Sequence, residues 1–197
     1  VDHFHVAVLH NSFSGAQFAA HMALHPDVTW ELAPHGVRTI STRRLPSGQT
    51  LRRVSEAALP TLRVIPSPRL DVYGPVESLG WVLPLDDHSF RIYVVGRVRE
   101  HGALAKMRSR MNGKLWHELS DAEHRQFPGD YEAQVSQGAV AWHSEEHLAT
   151  SDRGIVMLRR LLQAQLEALA QRRHPAGVSF DPEATPVQFA AGNYLEH

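Results

Sequence analysis

The stretch Phe90-Arg91-Ile92-Tyr93-Val94-Val95-Gly96-Arg97-Val98 decides the fold class. Phe90, Ile92, Val94, Gly96 and Val98 alternate with Arg91, Tyr93, Val95 and Arg97, the pattern of a β-strand with one apolar and one mixed face. Strand character holds from Val28 to Arg99, broken only by turn signals. Thr29-Trp30-Glu31-Leu32 stops at Pro34-His35-Gly36, and Val37 to Leu45 runs to Pro46-Ser47-Gly48-Gln49. Leu51 to Val64 follows with Pro60 inside it, where an edge or a bulge is expected. After Pro66-Ser67-Pro68 come Leu70 to Tyr73 and Glu77 to Leu83, and Asp86-Asp87-His88 turns the chain into the strand quoted first. About six antiparallel strands are expected.

Helices flank this block. From Val1 to about Leu24 the apolar residues Phe4, Val6, Val8, Leu9, Phe13, Phe18 and Met22 lack a period of two, and two short helices are expected, separated at Asn11-Ser12-Phe13-Ser14-Gly15. Beyond the strands, Ala103 to Leu115 reads as a short basic helix, and Ser120 to His124 as a helix with a capping Ser. Ser151 to Arg172 reads as a long amphipathic helix with Ile155, Leu158, Leu161, Leu162, Gln165, Leu166 and Leu169 on its apolar stripe. Strands bracketed by helices give an α+β domain, its helices gathered on one face of an antiparallel sheet.

Bulk composition narrows the chemistry. The 197 residues suit one domain, and a hydrophobic share of 43% is enough for a core. Lys and Arg total 20 against 21 Asp and Glu, so nothing points to nucleic acid. No apolar run reaches the roughly 20 residues of a membrane span, and the N-terminus lacks a basic region before an apolar core. A cytoplasmic, soluble protein is expected. The absence of Cys removes disulfides, thiolate nucleophiles, thiolate zinc sites and Cys-ligated clusters together, so any metal must sit on His and carboxylate. The start at Val1 reads as a boundary within a longer protein. Residues 1–194 are taken as the domain, and Leu195-Glu196-His197 as the possible remnant of a tag.

Fourteen His residues make any one His pair cheap, so setting matters more than spacing. Asp2 and His5 stand three apart on an expected helix, where a carboxylate can accept one imidazole N–H and turn the other nitrogen towards a metal. His10 lies roughly 140° around a regular helix from His5, so both reach one ion only if the helix loosens, and Asn11-Ser12 supplies an ending. Two imidazoles leave room for one carboxylate, the ligand set of non-haem ferrous oxygenases. Spacing alone does not choose that carboxylate among the acids of the chain.

Three segments carry a resemblance: Asp2-x-x-His5-x4-His10 followed by Phe13; Phe127-Pro128-Gly129-Asp130-Tyr131-Glu132-Ala133-Gln134 through Gln137-Gly138; and Glu146-His147-Leu148, Ser151-Asp152-Arg153-Gly154-Ile155 and Arg159-Arg160-Leu161-Leu162. Together they resemble the catalytic domain of the α subunits of Rieske-type non-haem iron oxygenases, which hydroxylate aromatic rings, and in particular the phthalate-dioxygenase-like branch. The resemblance implies a helix-grip fold and a mononuclear Fe(II) held by His5, His10 and Asp130. It implies Asp2 as the bridge to the Rieske iron–sulfur cluster of a neighbouring subunit, and a homotrimer for a full-length protein. It also implies O2 chemistry, hydroxylation or O-demethylation, on an aromatic substrate, with electrons from NAD(P)H through a reductase. The Cys-x-His and Cys-x-x-His pairs of the Rieske domain are missing here, so the likeness covers only the catalytic part.

Pocket-lining side chains are expected from the sheet and from Phe13, Phe18, Val54, Leu79, Trp81 and Tyr93. Asp130 could instead cap a helix. His21 with His25, and His143 with His147, have the i, i+4 spacing of a zinc pair without the His-Glu-x-x-His pattern. Arg38, Arg43, Arg44, Arg52, Arg53 and Arg63 are read as solvated outer-face charges, although one facing inward could pair with a substrate carboxylate. The competing readings are a metal-free helix-grip carrier of apolar ligands and a His/carboxylate zinc hydrolase; metal content separates all three.

Overall fold

The structure, a computed structural model, describes residues 2–9, 20–66, 74–76, 78–97, 118–126 and 129–196. Strands β1 (Asp27–Ala33), β2 (Gly36–Arg44), β3 (Thr50–Ala58), β4 (Leu62–Val64), β5 (Gly74–Pro75), β6 (Ser78–Pro84), β7 (Phe90–Gly96) and β8 (Gly192–Glu196) form one antiparallel sheet. Its order is β1-β2-β3-β4-β6-β7, with β8 pairing both β3 and β5. The turns are those marked by Pro and Gly: Ala33 pairs with Gly36 across Pro34-His35, and Leu45 and Gln49 close the next reversal by a 2.8 Å hydrogen bond. The run Leu51 to Val64 is two strands rather than one with a bulge, because the chain reverses at Leu59–Thr61 and pairs Ala58 with Leu62.

Strand β3 forks. Residues 50–54 pair with β8 and residues 56–58 with β4, so one edge of β3 serves two partners. The buried guanidinium of Arg53 closes the fork, Nη1 donating to Asn193 Oδ1 at 3.0 Å and Nη2 to the Pro66 carbonyl at 2.8 Å. Leu195 and Glu196, expected as a possible tag remnant, pair instead with Leu51 and Thr50, and Leu195 packs against buried Leu45 and Leu51.

Helices α1 (His5–Val8), α2 (Asp121–Gln126), α3 (Asp130–Val135) and α4 (Arg153–Ala170) complete the described fold, with 3-10 turns at Ala20–Ala23, His143–Glu145 and Thr150–Asp152. Ser120 caps α2 as expected: its Oγ accepts the Glu123 N–H at 3.3 Å while Glu123 Oε2 accepts the Ser120 N–H at 2.8 Å. The expected helix Ala103 to Leu115 and strand Leu70 to Tyr73 lie outside the described residues.

Helix α4 packs on β1 and β2. Trp30 on β1 pairs with Thr39, which pairs with Ser55, so the three side chains point to one face of the sheet; this inner face also meets α4, where Trp30 touches Gly154. Bidentate hydrogen bonds from Arg159 to Glu146, both 2.6 Å, tie α4 to the chain before it. An α+β architecture with one long helix on an antiparallel sheet is the expected helix-grip arrangement. The apolar stripe of α4 is only partly covered: Leu162, Leu166 and Leu169 are exposed, and the buried positions are Gly154 and Ala168.

The inner face of β2 and β3 is unusually polar. Val37, Thr39, Ser41 and Arg43 are buried beside Leu51, Arg53 and Ser55. Arg43 and Arg53 are thus not the solvated charges expected for strand arginines. The Arg43 Nε donates to the Leu24 carbonyl at 2.9 Å and Nη1 to Ser41 Oγ at 3.1 Å. Burial pushes the Arg43 guanidinium down to about 10, and burial, then the nearby Arg43, does the same to Arg53. No helix among the described residues is long and apolar enough to cross a membrane.

Candidate metal centre

Segment 2–8 lies across the inner face. His3 Nε2 is 2.7 Å from Ser55 Oγ, the Phe4 ring lies 6.5 Å from that of Trp30, and Val6 packs against Leu45 and Leu51. Asp2 organises the turn into α1: Oδ1 accepts the Phe4 N–H at 2.7 Å and the His5 N–H at 3.4 Å. Its other oxygen, Oδ2, stands 3.3 Å from His5 Nδ1. The His5 ring is thereby turned so that Nε2 faces Asp130 Oδ1 at 3.4 Å.

Asp130 is the first residue of α3, after Gly129. The Gly129 N–H donates to Glu132 Oε2 at 2.7 Å, and Glu132 Oε1 lies 2.7 Å from His124 Nδ1 on α2. Glu132 therefore holds both the start of α3 and the neighbouring helix. Glu132 stands inside the second motif, where the resemblance assigns it no role; its position three residues after Gly129 is the sequence signal for this capping.

Electrostatics follow the geometry. Hydrogen bonding to Asp130, then to Asp2, raises His5 to about 9, and the same His5 contact holds Asp2 down to about 2. Burial, reinforced by Arg53, takes His3 down to about 3, so its ring is neutral.

The donor set fits a divalent ion. Two donors bound at about 2.1 Å and at right angles lie about 3 Å apart, close to the separation of His5 Nε2 and Asp130 Oδ1. Asp2 on the other ring nitrogen is the outer partner that a ligating imidazole ordinarily has. His10, Phe13 and Phe18 lie outside the described residues, and among the described residues no three His, Cys, Asp or Glu converge on one point. His21, His25, His143 and His147 form no such group either.

The expected pocket residues on the sheet need correcting. Val54 lies next to Ser55 and so points to the opposite face; Trp81 pairs with Leu62 and Tyr93, and Leu79 with Val95, which puts these side chains on that same outer face. Val54, Leu79, Trp81 and Tyr93 are therefore turned away from His3 and His5. The inner positions are Gly80, Val82, Ile92 and Val94. A groove of about 830 Å³ opens beside Phe4, lined also by Val28, Trp30, Thr150, Ser151 and Arg153.

A helix-grip domain in which an Asp-backed imidazole meets a carboxylate defines a class of candidate non-haem metal proteins. Comparison with known proteins narrows it. The chain is 40% identical over 194 residues to the phenoxybenzoate dioxygenase subunit alpha of Ectopseudomonas oleovorans, a match covering 98% of the chain and 47% of that relative. It is 28% identical over 214 residues to the tert-butanol monooxygenase / tert-amyl alcohol desaturase oxygenase subunit of Aquincola tertiaricarbonis, covering 95% of the chain and 44% of that relative. No family model matches. Both relatives are oxygenase subunits, and the chain spans about half the length of the curated relatives it matches.

Proposed function

We propose that the chain is the catalytic part of a Rieske-type oxygenase, holding one Fe(II) on His5, His10 and Asp130. The observation that carries this reading is the approach of His5 Nε2 to Asp130 Oδ1 at 3.4 Å, between residues drawn from two separate motifs. A bound ferrous ion with open positions supplies dioxygen activation next to a substrate.

The residues of the chain do the rest. Asp2 accepts at His5 Nδ1, fixes the tautomer that leaves Nε2 free for the metal, and strengthens its basicity. Glu132 keeps Asp130 at the start of α3, facing His5. The inner positions Val82, Ile92 and Val94 offer apolar side chains to an aromatic substrate, which is to be hydroxylated or O-demethylated. A reductase and the Rieske cluster of a neighbouring subunit in a homotrimer would supply electrons from NAD(P)H, and Asp2, beside His5, would lie on their path to the metal site.

Metal analysis of the full-length protein tests this. One Fe(II) per mononuclear site, lost on replacing His5 or Asp130, supports the reading. Zinc in its place favours a hydrolase, and an apolar ligand without metal favours a carrier.

A further inference from the structure

His3 stands between Asp2 and His5, yet it points the other way. The residue is 7% exposed, its Nε2 meets Ser55 Oγ at 2.7 Å across 52 residues, and its Nδ1 is buried with no hydrogen-bond partner among the described residues. A histidine kept only to fill the core would be poorly chosen here, because an apolar ring would leave no polar atom unsatisfied. An unpartnered N–H costs more than an unpartnered bare nitrogen, so the proton belongs on Nε2, donating to Ser55.

Helix α1 has four residues, a single turn that cannot hold itself in place. Its position depends on what segment 2–8 grips. The contacts of Phe4 with Trp30 and of Val6 with Leu45 and Leu51 are apolar and non-directional. The His3–Ser55 bond is directional and ends on β3, where Arg53, two residues before Ser55 on the same face, is anchored on Asn193 and Pro66.

Building on the proposed iron site, we propose that His3 is a positioning residue: its hydrogen bond to Ser55 fixes the segment carrying Asp2 and His5 on β3, and so sets where the His5 imidazole stands relative to Asp130. An oxygenase site of this kind would be aligned from the sheet through a side chain that never touches the metal.

The test uses full-length protein stripped of its mononuclear metal, comparing wild type with His5→Ala, His3→Leu, His3→Gln, Ser55→Ala and the His3→Leu/Ser55→Ala pair. Fe(II) affinity is measured by anaerobic titration, and the Co(II)-loaded site by its visible absorption. His3→Leu and Ser55→Ala are each expected to weaken Fe(II) binding by about 10-fold and to alter the Co(II) bands, in the range found for outer partners of metal ligands. The pair should cost no more than either alone, as for one shared interaction. His3→Gln, which returns a donor to the Nε2 position, should recover most of the affinity. Loss of thermal stability with unchanged Fe(II) affinity and Co(II) spectrum in Ser55→Ala and His3→Leu would overturn the proposal, as would additive effects in the pair. Those results beside a wild type whose Fe(II) is removed by His5→Ala leave the iron site standing. A wild type that binds no Fe(II) sensitive to His5→Ala overturns both.

Discussion

Gly154 on α4 packs directly against the indole of Trp30 on β1: a Cβ added at Gly154 would overlap Trp30 Cδ1 and Nε1 and sit 3.0 Å from Cγ. The contact sets how closely the long helix approaches the sheet. Gly154→Ala gains up to about 1 kcal/mol of helix propensity but forces the helix off the sheet, an overpacking cost of about 1–3 kcal/mol. A net loss of stability is expected in urea unfolding, and Trp30→Leu should relieve part of it. A stabilised Gly154→Ala would show that α4 does not bear on Trp30.

The pairing of Arg159 with Glu146 uses two parallel N–H···O bonds, and hydrogen bonding to Arg159 draws the Glu146 carboxyl below its usual range. Lysine keeps the charge but not the fork. Arg159→Lys should lower the melting temperature almost as far as Arg159→Met, and by less than Gly154→Ala, because the pair is partly solvated. A Lys variant equal to wild type would mean that charge alone suffices.

At the fork in β3, Arg53→Met removes the donor to Asn193 Oδ1 and to the Pro66 carbonyl and leaves buried acceptors behind. A loss of at least about 2 kcal/mol is expected from two such groups. Hydrogen exchange should quicken in β8 and β4 ahead of β1. Uniform exchange across the sheet would contradict the role given to Arg53.

For the metal centre, His5→Ala and Asp130→Ala in the full-length protein should each reduce Fe(II) affinity by more than about 100-fold, beyond the cost of losing an outer partner. Elemental analysis after desalting reads the outcome. Retention of stoichiometric iron by either variant would remove that residue from the ligand set.

Asp2→Asn keeps an oxygen for the Phe4 N–H but removes the charge beside His5 Nδ1. The full-length variant should hold iron and lose most NAD(P)H-driven turnover. Unchanged turnover would take Asp2 off the electron path and leave it as the cap of the turn before α1.

Much of the fold was legible because its elements are marked locally. Pro34-His35-Gly36 and Pro46-Ser47-Gly48 end strands by backbone chemistry, and Ser120 starts a helix by offering its hydroxyl to an N–H. The strand at Gly192–Glu196 was missed because it has no partner nearby in sequence; it pairs with β3 and β5. The exposure of Leu162, Leu166 and Leu169 was also hidden, since an amphipathic stripe says that a face is apolar and not whether anything in the chain covers it.

By itself, the sequence determined the α+β class, the long helix, and the motifs containing Asp2, His5 and Asp130. Which side of each strand looks inward was decided by the tertiary structure. Alternation defines two faces only where one is clearly apolar, and β3 buries Arg53, Val54, Ser55 and Glu56 in succession, while the inner face of β2 is Thr39, Ser41 and Arg43. Hydropathy therefore favoured Val54 over Ser55. Only the pairing of β1, β2 and β3, with Trp30 under α4 and His3 on Ser55, turns the polar side towards the site, and only that packing carries His5 to Asp130, because contacts between distant segments leave no period in the sequence to read.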